Sequence, residues 1–298
     1  MSWRVLYIEE SDALSLYLDN IKVKRAANEI TFPLNDISLV LIDNYKLNIT
    51  INLINACANK GIPIVFCGDN HHPYTLSLPL HGHFECTKVL FNQLKWTDEQ
   101  RGLLWQSLIK QKIKNQHFVL NDCNPLCESL EIIDSYINEV VLMDSTNREG
   151  LAAKLYFKGL FGKTFQRHDN DTINACLDYG YSVLRALISK TLVAKGLNTQ
   201  LGIFHRGPQN AFNLSDDVIE IFRPVIDLFV FNNFKNEKIF LREHRHRILE
   251  ILNMKLLIDG QKQTLTHSIE KVVDSIIKFF NDGVLTTTIN FEPVLYDL

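Results

Sequence analysis

The stretch GDNHHPYTLSLPLHGH (68–83) divides this chain into two halves of different periodicity. It gathers two prolines, two glycines and four histidines within sixteen residues, a composition that favours turns over helix or continuous sheet. Before it the apolar residues alternate or run in short blocks. WRVLYI (3–8) reads as a strand, and residues 13–25 alternate on both sides of Asp19-Asn20 as a hairpin does. NEITFPL (28–34), SLVLID (38–43) and IPIVFC (62–67) add three more strands. Leu53, Ile54, Cys57 and Ala58 are spaced for one helix that Gly61 would end. After the divide the spacing becomes helical. Helices are expected near 84–95, 98–116, 126–145, 149–161, 173–195, 215–230, 238–253 and 265–281. The predicted fold is α+β: a small β-rich N-terminal domain (1–80), a linker at 68–83, and a larger all-α domain (84–298).

Composition narrows the function classes. The chain has 298 residues, 46% hydrophobic and 22% charged, as in an ordinary globular protein. A net charge of −3 gives no general support for nucleic-acid binding, so any DNA contact must come from local basic patches. No apolar run is long enough for a membrane span, and MSWRVLYIEESD reads as a strand with polar residues rather than a signal peptide. Cys57, Cys67, Cys86, Cys123, Cys127 and Cys176 show no paired framework and read as thiols of a cytoplasmic protein. Cys123 and Cys127 lack a second pair to complete a zinc site. His71, His72, His81 and His83 together would suit a zinc-stabilised module, against the plainer account of a histidine-rich loop.

Three residues far apart in sequence could hold a divalent cation: Glu149, His205 and Glu220. Each has a plainer alternative. Glu149 opens a helix, where the N-terminal dipole favours a glutamate in any case. His205 follows the apolar Gly202-Ile203-Phe204 and precedes Arg206-Gly207-Pro208, at the edge of an element, where a lone histidine is usually structural. Asp217 and Glu220 stand three apart after Ser215, a good N-cap, and an acidic first turn is common. Val218, Ile219, Ile221 and Phe222 nevertheless bury those turns, and buried carboxylates need partners.

Three motifs in order, NREGLAAKLYFKGLFG (147–162), LGIFHRGPQNAFNLSDD (201–217) and VIEIFRPVIDLFV (218–230), resemble the CRISPR-associated integrase family of the spacer-acquisition machinery. The likeness spans nearly the whole chain. Its length and the wording AFNLSDDVIEIFRPVID are most similar to the version in type II systems. The resemblance implies metal ligands and catalytic residues at Glu149, His205 and Glu220, with Asp217 in support. It implies Mg²⁺ or Mn²⁺ as the cofactor; the imidazole nitrogen makes Mn²⁺ especially compatible. It further implies a homodimer joined by a small dimeric partner subunit and further type II adaptation proteins, with no membrane. The implied activity is DNA cutting and insertion of short duplexes into a repeat array by 3′-OH transesterification. A metal-dependent repair nuclease and a non-catalytic DNA scaffold are the alternatives. Expected DNA contacts are Arg148, Lys154, Lys158, Lys163, Arg167 and Arg206. A second basic face, Arg242, Arg245 and Arg247, competes with a solvated helix surface.

Overall fold

The structure, a computed structural model, describes residues 4–69, 71–79, 83–258, 260–283 and 291–296. The chain folds as two compact units, Met1–Leu90 with Ser189–Leu197, and Phe91–Ile188 with Asn198–Leu298. The return of Ser189–Leu197 to the first unit was not expected from sequence.

The first unit begins with β1 (Arg4–Ile8), β2 (Ala13–Tyr17), β3 (Asn20–Arg25) and β4 (Asn28–Pro33). It continues through β5 (Ile37–Ile42), β6 (Asn48–Ile49), α1 (Ile51–Asn59), β7 (Ile64–Cys67) and β8 (Pro73–Ser77). One sheet has the order β1-β5-β7-β8 and the other β4-β3-β2-β6. β5 (ISLVLI) is buried at every residue, as a strand with parallel neighbours on both sides should be. The β2–β3 hairpin pairs Leu14 with Val23 and Leu16 with Ile21, which places Leu14 and Ile21 in the core. Its two-residue turn is Leu18-Asp19, one residue earlier than expected, and both adopt positive φ (44° and 62°). Primed turns require that handedness. Asn20 ties the turn by donating from Nδ2 to the Leu18 carbonyl at 2.6 Å.

β8 corrects the expected linker: Pro73–Ser77 pairs antiparallel with β7. Proline at the start of an edge strand withholds no ladder hydrogen bond, so composition alone misread it. His71 donates from Nδ1 to the buried Asp43 carboxylate at 2.8 Å, a pairing with an acid rather than with other histidines. His81 lies outside the described residues.

The remaining elements are α2 (Cys86–Leu94), α3 (Asp98–Cys123), α4 (Leu130–Glu139), α5 (Arg148–Phe161), α6 (Thr172–Ala194), α7 (Asn213–Ile219), α8 (Arg223–Phe234) and α9 (Arg242–Leu249). They are followed by β9 (Lys255–Ile258), β10 (Gln261–Thr264), α10 (Leu265–Asp282) and β11 (Phe291–Tyr296). The sheet β10-β9-β11 corrects the all-α expectation for this half. α3 starts with a reciprocal capping box between Thr97 and Gln100 and runs seven residues past the expected end at 116. The polar run Lys112, Asn115, Gln116 does not end it because all three are buried, and Asn115 donates to the Ile221 carbonyl at 2.8 Å.

The helix expected over 215–230 is broken. α7 stops at Ile219 and α8 starts at Arg223, because Pro224 cannot donate to the Glu220 carbonyl and its ring would strike it. Ser215 is not a cap but a buried residue within α7, which begins after Phe212.

Gly180 lets α6 and α8 approach closely: a Cβ there would lie 2.6 Å from Cγ2 of the buried Ile226. Gly180→Ala should therefore destabilise the protein by about 1–3 kcal/mol, read from the midpoint of a urea denaturation curve.

Candidate active site

Three chain segments meet at one cation. Lys112, in the middle of α3, donates from Nζ to Glu149 Oε1 and Glu220 Oε2, at 2.5 Å each. The side chains of Lys112 and Glu220 are only 7% and 6% exposed, and that of Glu149 is 27% exposed, so the cluster opens on the Glu149 side. Arg223 donates from Nε to Glu220 Oε1 at 2.9 Å, and both oxygens of this buried carboxylate face cations. Burial opposes ionisation of Glu220, but Lys112 and Arg223 outweigh it and hold the carboxyl down at about 2. Burial also works against the Lys112 charge. Glu220 and Glu149 overcome it and raise the ammonium above its ordinary value.

Local backbone geometry fixes each member. Asp144 accepts from the N–H groups of Arg148 (2.9 Å) and Glu149 (3.0 Å), gripping the first turn of α5. Asn147 adds an N-cap bond from Gly150. Met143, Asp144 and Asn147 all have positive φ, a conformation that costs each non-glycine residue roughly 1–3 kcal/mol. The strain lies immediately before Glu149. Glu220 is placed by the proline-enforced break between α7 and α8.

His205 belongs to a second cluster. Asp217 is fully buried in α7 and its carboxylate accepts from the backbone N–H groups of Ile203, Phe204 and His205 and from His205 Nδ1 at 2.8 Å. With Nδ1 so engaged, the imidazole presents Nε2 as its second nitrogen. Trp105 of α3 backs the loop, stacked on Phe204 at 4.4 Å and edge-on to His205 at 5.8 Å. The Asp217 hydrogen bond raises His205 above the ordinary histidine value against the opposing effect of burial. Gly202 is required here, since a Cβ would lie 2.2 Å from the His205 carbonyl oxygen.

Glu149 and Glu220 are thus brought together around a cation. His205 is held on a separate loop by Asp217, and among the described residues no three His, Cys, Asp or Glu side chains form a ready metal cluster. The donor set still fits a divalent ion: two carboxylates already converge on one positive atom, and an imidazole has its far nitrogen fixed by a buried carboxylate.

Beneath the cluster, Tyr156 (3.0 Å) and Tyr181 donate to the buried Asp227. The Arg223 guanidinium lies 4.5 Å from the Tyr181 ring centre. Burial pushes Asp227 up to about 6, despite the hydrogen bonds from Tyr181 and Tyr156.

The expected DNA contacts fall in different surroundings. Lys154 and Lys163 are exposed and Lys158 is half-buried. Arg148 pairs with Glu139 at 3.0 Å and lies over Tyr136, while Arg167 pairs with Asp178 at 2.6 Å and lies over Phe157 and Tyr181. Arg206 is half-exposed and pairs with Asp98 at 2.7 Å. The single basic face expected at 242–247 is split. Arg242 and Arg247 are exposed, whereas Arg245 and His244 are buried on the opposite side of α9. Arg101 and Arg206 line an open cleft of about 400 Å³ with Gln200, Gln209 and Asn210, beside the His205 loop.

Residues 6–270 match the family described as CRISPR associated protein Cas1. The chain belongs to the Cas1 family. Its relatives include the CRISPR-associated endonuclease Cas1 of Neisseria meningitidis serogroup C (strain 8013), 34% identical over 282 residues, spanning 92% of this chain and 91% of that protein. A CRISPR-associated endonuclease Cas1 of Francisella tularensis subsp. novicida (strain U112) is 23% identical, spanning 95% and 96%. Among solved structures, a casposase bound to its integration product is similar with a TM-score of 0.76 and 21% identity, covering 95% of this chain and 92% of that one. A Cas1 protein from Thermotoga maritima has a TM-score of 0.73 at 15% identity, covering 95% and 97%. These likenesses establish the Cas1 fold, a strand-rich N-terminal region followed by a mostly helical one.

Lys112, Asp144 and Asp227 escaped sequence reasoning. Lys112 had a usable signal: Trp105, Ile109, Lys112 and Gln116 form one helical stripe, and a lysine continuing an apolar stripe needs an acid partner.

Two outcomes follow for metal-free protein. His205 should titrate at lower pH in Asp217→Asn than in the wild type, measured by NMR of the imidazole protons. For Asp227 the folded value lies above the unfolded one, so its contribution to stability is complete below about pH 4 and lost as pH rises through 6. Between pH 4 and 7 the wild type should lose about 3 kcal/mol relative to Asp227→Asn, read from denaturation curves across that range.

Proposed function

We propose that this Cas1 protein is a DNA endonuclease and integrase of CRISPR adaptation, with Glu149, His205 and Glu220 holding Mg²⁺ or Mn²⁺. The observation that carries this reading is the convergence of Glu149 and Glu220 on one cation, with His205 held by Asp217, three residues before Glu220 in sequence. The ion, when bound, would polarise the scissile phosphate and stabilise the oxygen that leaves.

The protein's own residues supply position. Asp217 keeps the proton on Nδ1 of His205 and so directs the Nε2 lone pair outward. Asp144 and the proline break set the two carboxylates on helix ends that packing holds still. Arg101 and Arg206, lining the cleft beside His205, suit the phosphates of a bound strand. Lys154, Lys158, Lys163, Arg242 and Arg247 extend that grip. The 3′-hydroxyl of an incoming duplex attacks a phosphodiester of the repeat; one P–O bond forms and one breaks, with no covalent enzyme intermediate. Water in place of the hydroxyl gives nicking.

DNA and a Cas2-type subunit are the proposed partners, in keeping with a solved Cas6-RT-Cas1–Cas2 complex of similar fold (TM-score 0.73, 16% identity, covering 95% of this chain and 35% of that one). A homodimer is part of the same proposal. Among the described residues no helix is long and apolar enough to cross a membrane.

The test uses a supercoiled repeat plasmid with duplexes bearing free or blocked 3′ ends, in Mn²⁺. Joined products should form only with free 3′-OH, and Glu149→Gln or His205→Ala should reduce joining and nicking by at least about 100-fold. Nicking without joining would leave a nuclease. Unchanged processing in both variants would exclude catalysis at this site.

A further inference from the structure

We propose that Lys112 is the site's internal counter-cation: its ammonium holds Glu149 and Glu220 together in the metal-free protein, and it must withdraw before a divalent ion can bind between them. This rests on the metal-site reading above and adds a step to it.

The geometry makes the two cations exclusive. Nζ lies 2.5 Å from one oxygen of each carboxylate, and Mg²⁺ or Mn²⁺ would need about 2.0–2.2 Å to the same oxygens. Both cannot occupy that place. Lys112 is also suited to leaving. An ammonium on a four-carbon stem forms point contacts and can swing, whereas a guanidinium would lock both acids through its planar fork. The cluster has one open side, at Glu149, toward which the ammonium can move. Arg223 cannot substitute for Lys112, because it reaches only Glu220, through the oxygen that Lys112 does not touch.

Lys112 is therefore a positioning residue with two opposed effects. It stabilises the fold without metal and weakens metal binding by competing for the same oxygens. Removing it should reverse both.

The experiment measures Mn²⁺ affinity of the full-length protein by calorimetry, together with thermal melting in EDTA and in saturating Mn²⁺. Wild type, Lys112→Met, Lys112→Arg, Glu149→Gln and the Lys112→Met/Glu149→Gln double variant are compared. Lys112→Met should melt lower than wild type in EDTA, bind Mn²⁺ at least about tenfold tighter, and gain more in Tm on adding Mn²⁺. The double variant should lose that gain. Should Lys112→Met fold poorly without metal, Lys112→Arg carries the test: it keeps the charge and should bind Mn²⁺ more weakly than wild type. Equal or weaker Mn²⁺ binding by Lys112→Met, or wild-type affinity in Lys112→Arg, overturns the proposal while leaving the metal site standing. Glu149-dependent binding in Lys112→Met but not in wild type would support it most directly. No Glu149-dependent binding in any variant would overturn the metal reading and this inference with it.

Discussion

The buried ammonium of Lys112 between Glu149 and Glu220 is the interaction around which the helical half of this protein is arranged. Two oxygens each 2.5 Å from one nitrogen are no more than about 5 Å apart, and two negative charges at that spacing repel by about 3 kcal/mol at an effective dielectric constant of 20. Desolvation adds several kcal/mol for each buried ion. The carboxylates can therefore remain gathered only while a positive charge lies between them. That requirement ties α3 to the start of α5 and to the α7–α8 junction, three segments with no sequence proximity.

Backbone strain is concentrated where those segments must be exact in position. The left-handed run at Met143, Asp144 and Asn147 turns the chain into α5, and Asp144 then holds the N–H of Glu149 itself. Glu220 keeps helical φ and ψ (−56° and −39°) at the point where Pro224 interrupts the helical hydrogen bonding. Asp217 gathers three successive backbone N–H groups and an imidazole on one carboxylate. A buried acid with four donors is well satisfied, and the loop that carries His205 has little freedom left. The site is thus two preorganised pieces: a rigid histidine loop and a carboxylate pair held by an exchangeable charge.

Much of this was legible in the sequence, for identifiable reasons. β5 and the β2–β3 hairpin follow from apolar runs and alternation, and α10 from its stripe and the Gly283 stop. β8 was hidden by proline and histidine, β9 by having only four residues, and β10 by being short and wholly polar. The break at Glu220 was written in Pro224 but overridden by the apolar run on both sides. Glu149, His205 and Glu220 were singled out through surrounding motifs, since each alone had a plainer explanation. The helical stripe around Lys112 signals that an acid partner is needed but not which one, since the partners lie 37 and 108 residues away. Arg245 was misjudged because a cluster of basic residues on a short helix spans both of its faces.

The near-neutral net charge, which gave no support for DNA binding, has a structural explanation in how the arginines are spent. Arg148, Arg167, Arg206 and Arg223 each face an acidic partner, namely Glu139, Asp178, Asp98 and Glu220. Those pairs cancel in the total yet differ in what they can do. Arg223 and Arg167 are packed against aromatic rings and serve the interior. Arg206 is half-exposed, and its partner Asp98 is a solvent-exposed carboxylate that a phosphate can replace at little cost. A count of charges therefore understates the positive potential available beside His205. What governs it is which arginines can exchange an acid on the surface for a phosphate, and the burial of each pair decides that.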